Sequence, residues 1–489
     1  MTTISPILSD PIGTISPRLY GHFAEHLGRC CYDGLWMGTG ETRVPTTRGF
    51  RTDVIEALKA MPTPMLRWPG GCYADHYHWR DGIGPSQDRP VRLGMSCGLL
   101  VEDDNSLGTH EFLDFCELIG AEPYLAGNMG SGSVQEMCDW LEYCNATIKT
   151  KLKLERAQNG RDEPFGVKLW GVGNENWGCG GNYSAESYGL EFRRYATMLR
   201  QVDEKAELVA CGFDDHWNRK LMETLRHHVS LVDHFSIHRY WVHGGPGIDF
   251  TERQYYRLLE EADDTEKFIV TTREILDAVS GTKKIGIALD EWGVWHPEAR
   301  PWGPDTGGTM EDNYEQACTV RDAIATSAVL EVFHRQCKEL SLANLAQIVN
   351  VLHAPISTSA NGGAMWLTPT YFVLQLHTPH IGAEALRTDA FGPSLPFGGR
   401  AITATSSRKD GKIAVTVTNR HLSESQPVTI KLEGNLEWAK IMVSDAANAE
   451  NSEAQPNRVQ TQNLPTTNDS SGIQFTMPPH SVATLVFTS

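Results

Sequence analysis

The chain has 489 residues, 40% hydrophobic and 21% charged, a balance that supports large folded cores and excludes a mainly disordered or collagen-like chain. One hydrophobic core stops growing near about 250–300 residues, so at least two domains are expected. The 43 basic and 61 acidic residues leave a net charge of −18, a field that repels phosphate backbones and anionic lipid, so neither nucleic acid nor membrane is an expected partner.

The first thirteen residues, MTTISPILSDPIG, lack the basic start and apolar centre of a signal peptide, and no run approaches the length of a membrane span. A cytoplasmic location is the expectation. Eleven cysteines are scattered from Cys30 to Cys337 without C-x-x-C pairs, which predicts reduced thiols.

In chain order, residues 1–17 are expected to contribute a strand to a C-terminal β domain. Residues 18–378 alternate short apolar runs with helical stretches, the rhythm of repeated βα units. The predicted strands end at Gly21 to Glu25 and then cover Pro64 to Trp68, Pro123 to Ala126, Val167 to Gly173, Leu208 to Gly212, Val232 to His238, Lys284 to Asp290 and Ile348 to Leu352. Helices are predicted at Ser184 to Gln201, where Tyr188, Phe192, Tyr195, Ala196 and Leu199 share one face, and at Tyr314 to Leu340. Eight such units close into a (β/α)8 TIM barrel. From residue 379 to 489 the pattern turns to period two, as in Ile413, Val415 and Val417, which predicts an all-β, jelly-roll-like sandwich. Ala446 to Gly472 is polar and reads as an exposed loop or hairpin.

Barrel enzymes carry their chemistry where strands end, so carboxylates at those points are the candidates. The fourth strand delivers Asn174 and Glu175 to its end, and the seventh delivers Glu291. The interval between the two acids covers three βα units at about 39 residues each, within the range of an enlarged barrel. They then face each other across the mouth, as glycoside hydrolysis requires. A spacing of about 5–5.5 Å would make a nucleophile and an acid/base residue, whereas about 6.5–9.5 Å would admit water and invert. Asn174 offers an amide to a sugar hydroxyl. His238 is expected to orient a carboxylate. His76 and His78 form a ligand-like pair in an extended segment, but site-lining roles explain the histidines better, and no metal is expected.

The chain resembles the α-L-arabinofuranosidases of glycoside hydrolase family 51. The resemblance is carried by Gly21-His22-Phe23-Ala24-Glu25-His26-Leu27-Gly28-Arg29, Arg67-Trp68-Pro69-Gly70-Gly71, Trp79-Arg80-Asp81-Gly82-Ile83-Gly84-Pro85, Gly173-Asn174-Glu175, Asp290-Glu291-Trp292 and Leu367-Thr368-Pro369-Thr370-Tyr371. It implies a retaining exo-enzyme that removes terminal α-L-arabinofuranosyl residues from arabinan- or arabinoxylan-derived oligosaccharides, with Glu175 as acid/base, Glu291 as nucleophile and no cofactor. Glu25, Cys72, Asn174 and Tyr240 match positions that contact the furanose, Trp295 matches an aromatic wall, and Arg67 is expected to support the carboxylates. Cys72 stands where many members carry Asn, and His353 where they carry Gln at an eighth-strand sugar contact. The family also implies a homo-hexamer. A retaining β-1,4-glycanase on the same barrel is the alternative.

Overall fold

The computed structural model describes residues 2–304, 306 and 314–488. Eight parallel strands close into a barrel: Gly21–Phe23, Met65–Trp68, Glu122–Gly127, Leu169–Val172, Glu207–Cys211, His234–Trp241, Gly286–Val294 and Leu340–Ala346. The last pairs with the first through Asn344 and Gly21. Strands covered on both faces are apolar throughout, as Leu169–Val172 is, with all four residues buried. Met65, Tyr124, Leu169, Val209, Ala288 and Leu342, from six of the strands, form one buried layer inside the barrel. Full burial of an aliphatic side chain of this size stabilises by about 1.5–3 kcal/mol, so the layer makes a fixed interior on which a site can stand.

Seven strands fall where the sequence predicts them. The eighth does not: it is Leu340–Ala346, and Ile348 to Leu352 is irregular chain with Asn350 and Leu352 at positive φ. The predicted helix from Tyr314 to Leu340 is correspondingly shorter, Val320–Arg335, opened by a capping box between Thr319 and Asp322. The helix Ala185–Val202 forms as predicted. Ser184 caps it by accepting the Ser187 N–H at 3.2 Å, and Tyr188, Phe192, Tyr195, Ala196 and Leu199 are its buried face.

The N-terminal strand Thr2–Thr14 pairs antiparallel with Glu384–Phe391 and parallel with Gln426–Ile430, within a ten-stranded sheet otherwise built from residues 384–488. Ile441 and Phe475, from strands near opposite ends of that sheet, share one core with Ile4, Val415, Val428 and Phe487. The sheet therefore curls over itself as a sandwich.

Strand Lys412–Asn419 is buried on both faces: Ile413, Val415 and Val417 enter the sandwich core, and the alternate face meets the barrel helix Val320–Arg335. That seam is polar. His380 bonds Ser407 at 2.7 Å and Thr416 at 2.8 Å, His334 bonds Tyr20 at 2.7 Å and Thr405 at 2.8 Å, and His377 bonds Ser327 at 3.1 Å. The polar stretch after Ala446 is not wholly an exposed loop. The carbonyls of Ala447 and Ala449 accept the N–H groups of Arg321 and Val320, which completes the start of that barrel helix.

Candidate active site

Glu175 follows the fourth strand through a tight turn. Gly173 has φ 88°, a conformation open to glycine, and a Cβ there would meet the Asn176 side chain at 2.1 Å. Glu175 itself has φ 40°, an uncommon position for a side-chain-bearing residue that characteristically marks functional sites. Its carbonyl oxygen accepts the N–H groups of Gly178 at 2.7 Å and Gly180 at 3.2 Å, which fixes the turn.

Glu291 is aimed by a bulge. Ile237 pairs with Leu289 but His238 pairs with Glu291, so Asp290 is an extra residue in the seventh strand. The bulge breaks the two-residue alternation and brings both Asp290 and Glu291 to the buried Arg67 guanidinium. Asp290 is in turn bonded by the Tyr124 hydroxyl at 2.7 Å and the Asn344 amide at 2.9 Å.

A carboxylate oxygen of Glu175 and one of Glu291 lie within 4.8 Å of each other, with the imidazole of His238 inside the same limit. His238 Nδ1 is 2.9 Å from Glu175 Oε1 and 3.6 Å from Glu291 Oε2. Arg67 donates through Nη1 to Glu291 Oε1 at 2.8 Å and through Nη2 to Asn174 Oδ1 at 2.6 Å, and the Tyr240 hydroxyl donates to Glu291 Oε2 at 2.8 Å. Burial pushes the Glu291 pKa up, but His238, Arg67 and the Tyr240 hydrogen bond outweigh it and the net shift is downward. Burial pushes His238 down, while Glu291 and Glu175 pull it up, and the net shift is upward. The two acids differ in exposure: the Glu175 side chain is 21% exposed and that of Glu291 7%.

Glu25 lies beside the pair. Its Oε1 accepts the Tyr73 N–H at 3.0 Å and the Ser96 hydroxyl at 2.7 Å, and its Oε2 accepts the Gln347 amide at 3.1 Å. Burial and the charge of Glu291 raise its pKa to about 7. Asn174 is buried, and its Nδ2 has no partner among the described residues. A buried amide donor left open costs free energy until something accepts from it, which suits a hydroxyl-bearing ligand. Trp295 packs edge-on against Tyr240 at 4.9 Å and donates through its indole N–H to Ala299 O, so the wall is held rigid.

Two sequence expectations need correction. Cys72 is not a free thiol: it is bonded to Cys179, with its Sγ 4.0 Å from Glu175 Oε2, so it has no S–H to offer a ligand and the cysteines are not all reduced. Nine others are free. His353 is fully buried, accepts the Val294 N–H at Nδ1 at 3.2 Å and bonds Thr370 through Nε2 at 2.9 Å. Both ring nitrogens are engaged by protein, so the eighth-strand contact is not His353. Gln347, just past that strand, instead donates to Glu25. His78 bonds Glu136 at 2.9 Å. Sequence reasoning missed Gln347, Ser96, Asp290 and Cys179. Asp290 alone carried a signal, as the acidic neighbour of Glu291.

The family model of the α-L-arabinofuranosidase 1 domain matches residues 57–253, and that of the α-L-arabinofuranosidase C-terminal domain matches residues 290–481. An intracellular exo-α-L-arabinofuranosidase of Bacteroides ovatus is 40% identical over 432 residues, which cover 86% of this chain and 81% of that protein. The crystal structure of a family 51 arabinofuranosidase from Xanthomonas axonopodis pv. citri superposes with a TM-score of 0.91 at 33% identity, covering 100% of this chain and 99% of the other. The α-L-arabinofuranosidase of Thermotoga maritima in complex with arabinose superposes with a TM-score of 0.87 at 30% identity, covering 100% of both chains.

Proposed function

The chain belongs to the α-L-arabinofuranosidases of glycoside hydrolase family 51, and from that premise we propose that it removes terminal arabinofuranosyl residues by double displacement, with Glu291 as nucleophile and Glu175 as acid/base. It is an exo-acting glycoside hydrolase. The observation that carries the mechanism is the approach of the two carboxylates to within 4.8 Å, too close to admit a water between Glu291 and the anomeric carbon.

In the first step an oxygen of ionised Glu291 attacks the anomeric carbon. The bond to the leaving oxygen breaks as Glu175 gives that oxygen its proton, and a glycosyl ester of Glu291 forms. Arg67 and Tyr240 orient the attacking carboxylate and keep it ionised. Ester formation removes the negative charge facing Glu175, which is now the anion. In the second step Glu175 takes a proton from water, the oxygen of that water attacks the anomeric carbon, and the Glu291 carboxylate is released. His238 bridges the two acids and holds Glu175 in position through both steps.

We assign the open Nδ2 of Asn174 to the 2-hydroxyl of the furanose, where a hydrogen bond that tightens in the transition state lowers the barrier. Glu25, with Gln347 beside it, meets further hydroxyls, and Trp295 packs against the ring. The natural substrates proposed are oligosaccharides derived from arabinan or arabinoxylan, taken inside the cell, as the name of the Bacteroides ovatus relative suggests for that protein. A homo-hexamer is proposed on family resemblance, and gel filtration with light scattering tests it. The mechanism is tested by Glu291→Ala: turnover of an aryl α-L-arabinofuranoside should vanish and be partly restored by azide, whereas activity near that of the parent enzyme would refute it.

A further inference from the structure

We propose that Cys72, Cys97, Cys179 and the Glu175 carboxylate form an inhibitory site for a zinc-like dication, closed while the Cys72–Cys179 bond is intact and opened by a thiol reductant. Three sulfurs and one carboxylate oxygen suit a borderline-soft metal that takes four ligands. Cys72 Sγ is 3.9 Å from Cys97 Sγ and 4.0 Å from Glu175 Oε2, and Cys179 Sγ is 3.8 Å from the same oxygen. In a tetrahedron with zinc–sulfur bonds of about 2.3 Å and zinc–oxygen bonds of about 2.0–2.2 Å, neighbouring sulfurs stand about 3.8 Å apart, and sulfur and oxygen about 3.6 Å. The separations observed need close by only a few tenths of an ångström.

The third sulfur comes from a separate loop. Cys97 and Gly98 make the two-residue turn between strands Arg92–Ser96 and Leu99–Asp103, and both have positive φ, 47° and 85°. Such a turn favours Asn, Asp or Gly at both positions, so the cost of a cysteine here points to a use for its side chain. The turn is pinned over the site: the Ser96 hydroxyl donates to Glu25 at 2.7 Å, and the Tyr314 hydroxyl donates to the Cys97 carbonyl. The Cys97 thiol is therefore fixed beside the other two sulfurs.

Cys179 is the exposed end of the disulfide and Cys72 the buried end, so a reductant reaches the bond from the Cys179 side. Reduction delivers two electrons and two protons to the sulfurs; a dithiol leaves as its disulfide, or a phosphine as its oxide with oxygen from water. The dication then displaces the thiol protons and binds the thiolates. Glu175 and Glu291, with oxygens within 4.8 Å of each other, add a negative field that favours a dication. With its Oε2 held by the metal, Glu175 has no free carboxyl to protonate a leaving oxygen, and turnover stops. That consequence, unlike the binding, rests on the assignment of Glu175 as acid/base.

The test titrates cobalt(II), and then zinc, into the full chain before and after anaerobic reduction with a phosphine that is removed before the metal is added. The reduced protein should gain one equivalent of cobalt with sulfur-to-cobalt charge-transfer absorption and tetrahedral d–d bands. Zinc should displace it and abolish turnover of an aryl α-L-arabinofuranoside, and a chelator should restore turnover. Cys97→Ser and Cys179→Ser should each weaken metal affinity of the reduced protein by at least about tenfold to a hundredfold, the loss seen even for partners one shell further out. Cys97→Ser leaves the Cys72–Cys179 bond in place, so it keeps the test decisive where Cys179→Ser destabilises the fold. Cobalt bound with turnover unimpaired would support the site and count against Glu175 as the acid. No gain in charge-transfer absorption on reduction, or a gain that survives undiminished in Cys97→Ser, would overturn the proposal.

Discussion

Tyr240→Phe isolates one hydrogen bond to the nucleophile. The change keeps the ring, and with it the edge-on contact to Trp295, and deletes only the hydroxyl that donates to Glu291 Oε2 at 2.8 Å. A hydrogen bond to a charged group contributes about 1.5–3 kcal/mol, and one pH unit corresponds to about 1.4 kcal/mol, so its loss raises the titration of Glu291 by about 1–2 units. As the proposed nucleophile Glu291 must be a carboxylate, and its pKa is held below the ordinary value. Raising that pKa therefore moves the acid limb of kcat/KM to higher pH and leaves the neutral plateau less affected. Arg67 and His238 still face the carboxylate, which places the expected shift near the lower figure. The limb belongs to the cluster of two acids and one imidazole rather than to Glu291 alone. The assay is the pH profile of kcat/KM on an aryl α-L-arabinofuranoside, with thermal melting to verify an intact fold. An acid limb that stays in place would refute the assigned role of the hydroxyl.

The Cys72–Cys179 bond closes a separation of 107 residues beside Glu175. Cys179→Ala should lower stability by about 2–4 kcal/mol and raise KM, and a dithiol reductant should reproduce both in the parent protein; unchanged melting would refute a structural role. Arg67→Met leaves Asp290 and Glu291 buried without their counter-charge and should cost about 3–5 kcal/mol in denaturant unfolding; a loss near zero would mean the guanidinium is dispensable. His334, His377 and His380 are kept neutral at the seam, with burial holding their pKa values below the ordinary 6.5, to about 3 for His380. Their stabilisation is present above pH 6.5 and lost as pH falls, because the unfolded chain takes up three protons that the fold refuses. The slope approaches about 4 kcal/mol per pH unit. His334→Gln should lower the slope by about 1.4 kcal/mol per pH unit, and an unaltered slope would contradict this.

Seven barrel strands and the positions of the two candidate acids were legible because most of these strands are short apolar runs that stop at Gly, Asn or an acid, and the barrel's geometry places reactive groups at those stops. The eighth was misread because no Gly or Pro separates the helix ending at Arg335 from Leu340–Ala346, whose Leu and Ala residues suit either structure, whereas Ile348 to Leu352 is apolar for a different reason: it is buried as irregular chain. His353 illustrates a limit of position-by-position comparison. The residue directly after a buried irregular segment can face either way, and here its ring turns to Val294 and Thr370. Cys72 and Cys179 meet only because the second and fourth strand ends share one rim, a proximity that no local spacing encodes. The bulge at Asp290 is equally silent in sequence, yet it is what lets two consecutive acids meet one arginine.

In the proposed double displacement, two carboxylates within 4.8 Å act in sequence on one anomeric carbon. Proton NMR of the sugar first released from an aryl α-L-arabinofuranoside tests it most directly. Double displacement requires the α-anomer to appear first and the β-anomer to grow in only by mutarotation; initial release of the β-anomer would mean a single displacement with inversion.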